Sequence, residues 1–246
     1  MHDIAIIVQA RTGSTRLPQK IILPFWRGKS ILQMILERLS PLPWPIILAT
    51  TTSKGDDPLE QFASERITLF RGSEEDVLWR FIEAAKQYKI KNVIRICADN
   101  PFIDLSLLQA LVKHHNGDYT SFWHYDKPTI LTHFGVFGEV VSTAALKKAY
   151  EFSKDPFYCE HVTRYIYSHP DSFKINSIAT DKELFFSEDI RLTVDTALDF
   201  KFASDIFSKM KKRKLDINMK NIGAILRENP HYFDLMRREI NQGQGK

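Results

Sequence analysis

Residues 4–20 read IAIIVQARTGSTRLPQK. The apolar run Ile4, Ala5, Ile6, Ile7 and Val8 has the length and β-branched content of a strand. Its lack of alternation predicts cover on both faces. The residues after it cannot extend the strand: Gly13 admits unusual backbone angles, Pro18 ends regular pairing, and serine and threonine supply hydroxyls. Arg11, Arg16 and Lys20 place three cations within ten residues, beside flexible backbone N–H groups. Such a stretch is either an ordinary basic surface loop or a cradle for a polyphosphate. Its position favours the cradle, because open α/β sheets bind ligands at the carboxyl ends of strands. The chain contains neither G-x-x-x-x-G-K-[ST] nor G-x-G-x-x-G, so P-loop NTPases and dinucleotide folds lose their main support.

The rest of the chain repeats the strand–helix theme. Ser30 can cap a helix with Ile31, Leu32, Ile35, Leu36 and Leu39 on one face, stopped by Pro41, Pro43 and Pro45. Strands are predicted at 46–50, 67–70 and 92–97, with a helix near 58–65 between the first two. Ser73 and Asp76 form a capping pattern for a helix to about Tyr88, and Asp104 or Ser106 starts the next one. This alternation predicts a mostly parallel sheet with helices on both faces. From about residue 117 the character changes. DYTSFWHYD and THFGVFGEV read as antiparallel or mixed strands, followed by helices at 142–152 and 158–168 and a strand near 173–179. After an irregular stretch at 181–189, IRLTV (190–194) reads as a strand, and helices are predicted at 196–212, 217–227 and 231–241.

The 246 residues, 43% hydrophobic and 26% charged, have the composition of a globular α/β protein. No apolar stretch approaches the roughly 18–20 residues that span a bilayer, and no signal peptide is read at the start, so a cytoplasmic protein is expected. Cys97 and Cys159 are too few for a disulfide framework. The net charge of +4 is uneven: residues 209–246 carry ten Lys/Arg against four Asp/Glu, and the remainder is slightly acidic. The run KMKKRK (209–214) reads as the solvated end of a helix, where cations suit the dipole. No nucleic-acid motif accompanies it, and no nucleic-acid partner is expected.

Two aspartates carry candidate chemistry. Asp99 follows the 92–97 strand and could hold a divalent metal at the rim of the first loop, or turn the chain before Pro101. Asp195 follows IRLTV and could do the same, or cap the next helix. His161 and Cys159 lack partners at metal-ligand spacing.

VQARTGSTRLPQK resembles the N-terminal signature of the sugar-activating cytidylyltransferases, P-A-R-x-x-S-x-R-L-P-x-K. It is most similar to the branch named for the spore coat polysaccharide protein SpsF, in which the segment begins V-Q-A-R. Four further blocks occur in the same order: RGSEEDVLWRF (71–81), RICADNPFID (95–104), EHVTRYIY (160–167) and LTVDTALDF (192–200). Two departures are visible. Ala98 replaces the family's usual glycine, and THFGVFGEVVS (132–142) only loosely keeps a Gly-Leu-Asp-Val-Glu-Val-like run.

The resemblance implies a Rossmann-like, GT-A-type α/β sandwich: one nucleotidyltransferase domain with a family-like core to about residue 207 and a basic helical extension over 208–246. It implies transfer from CTP to a sugar, with a Kdo-like or nonulosonate sugar acid expected, for surface polysaccharide or lipopolysaccharide synthesis. Ala10, Arg11, Gly13, Ser14, Arg16 and Lys20 would surround the triphosphate. Arg71, Gly72 and Ser73 would lie near the cytosine or ribose. Asp99 and Asp195 would hold Mg²⁺, and Arg11, Lys20, Asp99 and Asp195 would carry the catalysis. Glu160 and His161 are expected to serve packing, a dimer contact or the sugar site, and Asp199 to be structural. A homodimer is expected. The alternatives are a GT-A glycosyltransferase, disfavoured because no Asp-x-Asp occurs, and a non-catalytic nucleotide-sugar binding protein on the same scaffold.

Overall fold

β1 (Ile4–Gln9) is buried along almost its whole length. Ile6 and Val8 face one hydrophobic cluster and Ala5 and Ile7 a second one on the opposite side of the sheet. That two-sided cover is why the strand reads as an unbroken apolar run. The computed structural model describes residues 3–243; residues 244–246 of the expected C-terminal extension lie outside the described residues.

Beyond the basic loop, β2 (Pro24–Trp26) and β3 (Lys29–Ser30) form a small antiparallel hairpin. Arg27 and Gly28 both take positive φ in its turn, the geometry that tight hairpins favour. Ser30 then caps α1 (Ile31–Leu39), its side chain accepting from the Gln33 N–H. β4 (Ile46–Thr51), β5 (Ile67–Gly72), α2 (Val77–Gln87), β6 (Asn92–Cys97) and α3 (Leu105–His114) complete the first half. The second half holds β7 (Tyr119–His124), β8 (Lys127–Pro128), β9 (Glu139–Ser142), α4 (Thr143–Phe152), α5 (Pro156–Glu160), α6 (Arg164–Ser168), β10 (Ile175–Ala179), α7 (Ala197–Lys212), α8 (Met219–Glu228) and α9 (His231–Gln242).

The main sheet runs β10-β7-β9-β6-β1-β4-β5, with β8 paired to β7. β5, β4, β1 and β6 are parallel neighbours, β9 is antiparallel to both β6 and β7, and β10 is parallel to β7. The expected mostly parallel sheet with a mixed portion is therefore what forms. One face is covered by α1, α3 and α7 to α9, the other by α2, α4 and α6. The chain leaves β1 toward β4 and later returns to β6 on the other side of β1. The loops after β1 and β6 therefore flank the crevice where α/β sheets receive ligands.

Several local expectations are corrected. IRLTV does not join a ladder: the Leu192 N–H donates to His133 O at 2.8 Å and the Val194 N–H to Asp99 O at 3.1 Å. The expected 58–65 helix is a 3-10 helix over Lys54–Phe62 with Pro58 inside it. The segment near 158–168 breaks into α5 and α6 at His161–Thr163, and the THFGVFGEV strand begins only at Glu139. Asp76, not Ser73, caps α2, while the Ser73 hydroxyl accepts from the Asp76 N–H.

Candidate functional site

The loop after β1 is held by a buried carboxylate. The Asp56 Oδ1 atom accepts from the Thr12 N–H at 2.7 Å, and Oδ2 from the hydroxyls of Thr51 at 2.5 Å and Thr50 at 3.0 Å. Burial pushes the Asp56 carboxyl up, but the bonds from Thr51, Thr12 and Thr50 outweigh it and hold the group below its ordinary range. Thr12 O in turn accepts from the Ser14 and Gln19 N–H groups, which closes the loop and delivers Lys20 to the crevice.

Lys20 is the centre of the site. Its Nζ lies 2.8 Å from Asp99 Oδ2, 3.1 Å from Asp195 Oδ1 and 2.6 Å from Val194 O. Burial alone would lower its pKa, but the charges of Asp99 and Asp195 overcome that and raise it. The Val194–Asp99 backbone bond brings the two aspartates together. Close passage of that segment depends on Gly135, at φ +60°, where a Cβ would lie 2.7 Å from both Leu192 C and Thr193 N.

Asp195 is braced from behind. Arg191, 1% exposed, donates from Nη2 to Asp195 Oδ2 at 3.2 Å and grips Asp199 with Nε and Nη2, each at 2.7 Å. Asp199 also accepts from the Asp195 and Thr196 N–H groups and completes a capping box on α7. Its structural role is thus to hold Arg191 and the Asp195 backbone. Arg16 reaches Asp195 Oδ1 at 3.2 Å from the solvent side, and Arg11 pairs with Glu160 at 3.6 Å.

These residues line two cavities that share Cys97 and Asp99. The smaller, about 240 Å³, is walled by the loop and contains Ala10, Arg11, Gly13, Ser14, Arg16 and Lys20 together with Asp99 and Asp195. The larger, about 480 Å³, opens beside it between the β6–β9 region, the 129–132 turn and α5–α6. Asp99 therefore stands at the junction. Arg71, Gly72 and Ser73 line neither cavity. Arg71 staples the loop after β4, donating to Thr51 O and Ser53 O and pairing with Asp57 and Glu60. Gly72 makes room for Arg80, whose Cγ would be 3.0 Å from an added Cβ.

The larger cavity contains residues that the motifs did not single out. Arg95 stands directly opposite Glu139 across the β6–β9 ladder, and their side chains form a buried ion pair of 2.5 Å. Glu139 also accepts from the Tyr119 and Thr163 hydroxyls. Arg95 was visible as the one charge in an apolar strand, on the same period-two face as Cys97 and Asp99. The Arg95 Nε, Asn100 Oδ1, Thr129 Oγ1 and Thr193 Oγ1 atoms are buried without a hydrogen-bond partner, and all four residues line this cavity. Buried polar atoms normally have partners, but these four have almost no accessible surface and so stand behind the cavity wall, not on its open face. Lys127 and Arg164 add two cations that form no ion pair among the described residues, Arg164 resting on the Phe157 ring.

The donor set at Lys20 also fits a hard divalent cation. Two carboxylates and a carbonyl already converge on one positive charge. Among the described residues no group of three or more His, Cys, Asp or Glu is placed to hold a metal. An ion bound by Asp99 and Asp195 would thus draw its remaining oxygens from water and ligand phosphates, as Mg²⁺ commonly does.

The family model described as cytidylyltransferase matches residues 5–222. The chain belongs to the cytidylyltransferase family. It is 32% identical over 241 residues to the spore coat polysaccharide biosynthesis protein SpsF of Bacillus subtilis, covering 94% of this chain and 96% of that one. A 3-deoxy-manno-octulosonate cytidylyltransferase of Francisella tularensis is 28% identical over 113 residues, 44% of each chain. Among solved structures, a cytidylyltransferase from Leptospira borgpetersenii superposes with a TM-score of 0.81 at 27% identity, covering 94% of this chain and 96% of that one. As a member of this family the chain is a nucleotidyltransferase. No helix among its described residues is long and apolar enough to cross a membrane.

Proposed function

We propose that the protein transfers a cytidylyl group from CTP to a hydroxyl of a sugar acid and releases pyrophosphate, in a Mg²⁺-dependent reaction serving surface polysaccharide synthesis. The observation that carries this reading is the meeting of loop cations and two aspartates in one cleft, joined at Asp99 to a second, larger cavity. The acceptor oxygen attacks the α-phosphorus while the bond to pyrophosphate breaks, so the protein's task is positioning and neutralisation of charge.

Arg11, Arg16 and Lys20 take the β- and γ-phosphates and steady the leaving group. Asp99 and Asp195 would hold Mg²⁺, which when bound supplies Lewis-acid polarisation at the phosphate. Arg191 and Asp199 keep the Asp195 carboxylate oriented. Lys127 and Arg164 meet the negative charge of the acceptor, and polar side chains along the larger cavity, among them Asn100, Thr132 and Tyr167, read its hydroxyls. The activity for which the Francisella relative is named supports an eight-carbon sugar acid as the first substrate to try.

The test is pyrophosphate release with CTP, Mg²⁺ and a panel of sugar acids, with ATP, GTP and UTP as controls. Release is expected with CTP and one sugar acid, and Asp99→Asn should abolish it while leaving the unfolding temperature within a few degrees of the wild type. A protein that CTP neither stabilises nor supplies with substrate, or an active Asp99→Asn variant, would overturn the assignment.

A further inference from the structure

We propose that Lys20 is an internal counter-ion that closes the Asp99–Asp195 pair to divalent cations until a triphosphate draws its ammonium away. The inference rests on the cytidylyl-transfer reading of this cleft. Among the described residues, Lys20, Arg16 and Arg191 touch the carboxylates, and they differ in freedom. Arg191 is locked by its two bonds to Asp199 and donates to the His133 ring at 2.8 Å. Arg16 is half exposed and reaches only Asp195. Among the described residues, Lys20 is the cation seen to bridge both carboxylates, with its side chain 10% exposed and a carbonyl as third partner.

Asp99, Asp195 and Asp199 are set against Lys20, Arg16 and Arg191, with Glu239 adding negative charge near Arg191. A divalent ion arriving alone would meet the ammonium at the same oxygens, in a partly buried site where like charges repel strongly. A triphosphate changes that balance. It offers the lysine stronger acceptors on the loop side, and the four-carbon stem lets the ammonium move while its backbone stays in place. Metal and nucleotide would therefore enter together, and the nucleotide-free protein would discriminate against the metal. A lysine serving only the phosphates would leave metal affinity without nucleotide unchanged.

The experiment is a titration of the nucleotide-free full-length protein with Mn²⁺, read by loss of the free-ion electron paramagnetic resonance signal. Lys20→Gln is expected to tighten Mn²⁺ binding by roughly tenfold or more relative to wild type, as removal of a close like charge predicts. Lys20→Arg, which keeps the charge, should stay weak and confirms that the site tolerates substitution. Lys20→Gln combined with Asp99→Asn should lose the gain. Equal or weaker binding in Lys20→Gln, or a gain that survives Asp99→Asn, would overturn the inference. CTP stabilisation of the wild type, measured alongside, separates the two ideas. If CTP stabilises the protein and Lys20→Gln leaves Mn²⁺ affinity unchanged, the counter-ion role alone falls. If CTP does not stabilise it, the cytidylyl-transfer reading falls and takes this inference with it.

Discussion

Replacing Asp56 by asparagine tests whether the phosphate loop is anchored as described. An amide of the same shape keeps one oxygen for the Thr12 N–H, at 2.7 Å in the wild type, because that backbone donor cannot turn. The new NH₂ then faces the Thr50 and Thr51 hydroxyls, which can rotate and accept. The variant therefore keeps most bonds but loses their charge assistance. Charged hydrogen bonds contribute about 1 kcal/mol more than neutral ones, so the change costs about 2–3 kcal/mol across the donors of Thr12, Thr50 and Thr51. For a chain of this size that lowers the unfolding temperature by about 4–12 °C at pH 7. Asp56→Ala, which strands the Thr12 N–H in a buried position, should cost more. Because the folded Asp56 carboxyl lies below its ordinary value, its stabilisation is complete above the unfolded pKa and is lost as pH falls through the folded one. Calorimetry should show a constant gap between wild type and Asp56→Asn from pH 7 to about pH 5, narrowing below about pH 4. Equal unfolding temperatures at pH 7, or a gap that does not change with acid, would refute the anchoring role.

Gly135→Ala should destabilise the protein by about 1–3 kcal/mol, since its Cβ would press on Leu192 and Thr193 at positive φ, and CTP-dependent stabilisation should weaken as Asp195 is displaced. Thermal unfolding with and without CTP reads both effects. Arg191→Met should cost about 3–5 kcal/mol by leaving Asp199 buried without its cation, measurable by urea titration. Chelation of divalent ions should stop pyrophosphate release, with Mg²⁺ or Mn²⁺ restoring it.

Much of the site was legible because its signals are local. Ala10, Arg11, Gly13, Ser14, Arg16 and Lys20 share one loop, and all six line the smaller cleft. Ser30 and Asp104 announce their helices through side chains that bond backbone only two or three residues on, whereas α7 is capped by Thr196 and not by Asp195. Arg71 presents the opposite case. Its neighbours in sequence say nothing of Thr51, Ser53, Asp57 and Glu60, which claim its guanidinium. Likewise IRLTV has the composition of a strand, but its N–H groups find His133 and Asp99 before they find a ladder.

The sequence alone determined the alternation of elements, the basic loop and the placement of Asp99 and Asp195 at the ends of apolar segments, because periodicity and capping act over a few residues. Only the tertiary structure decided that Lys20 bridges Asp99 and Asp195, positions 79 and 175 residues away in the chain. It also decided that Arg95 faces Glu139 and that two cavities meet at Asp99. Those contacts depend on strand order and on one close backbone passage at Gly135. Neither leaves a mark within any short window of sequence, since both arise from packing between distant segments.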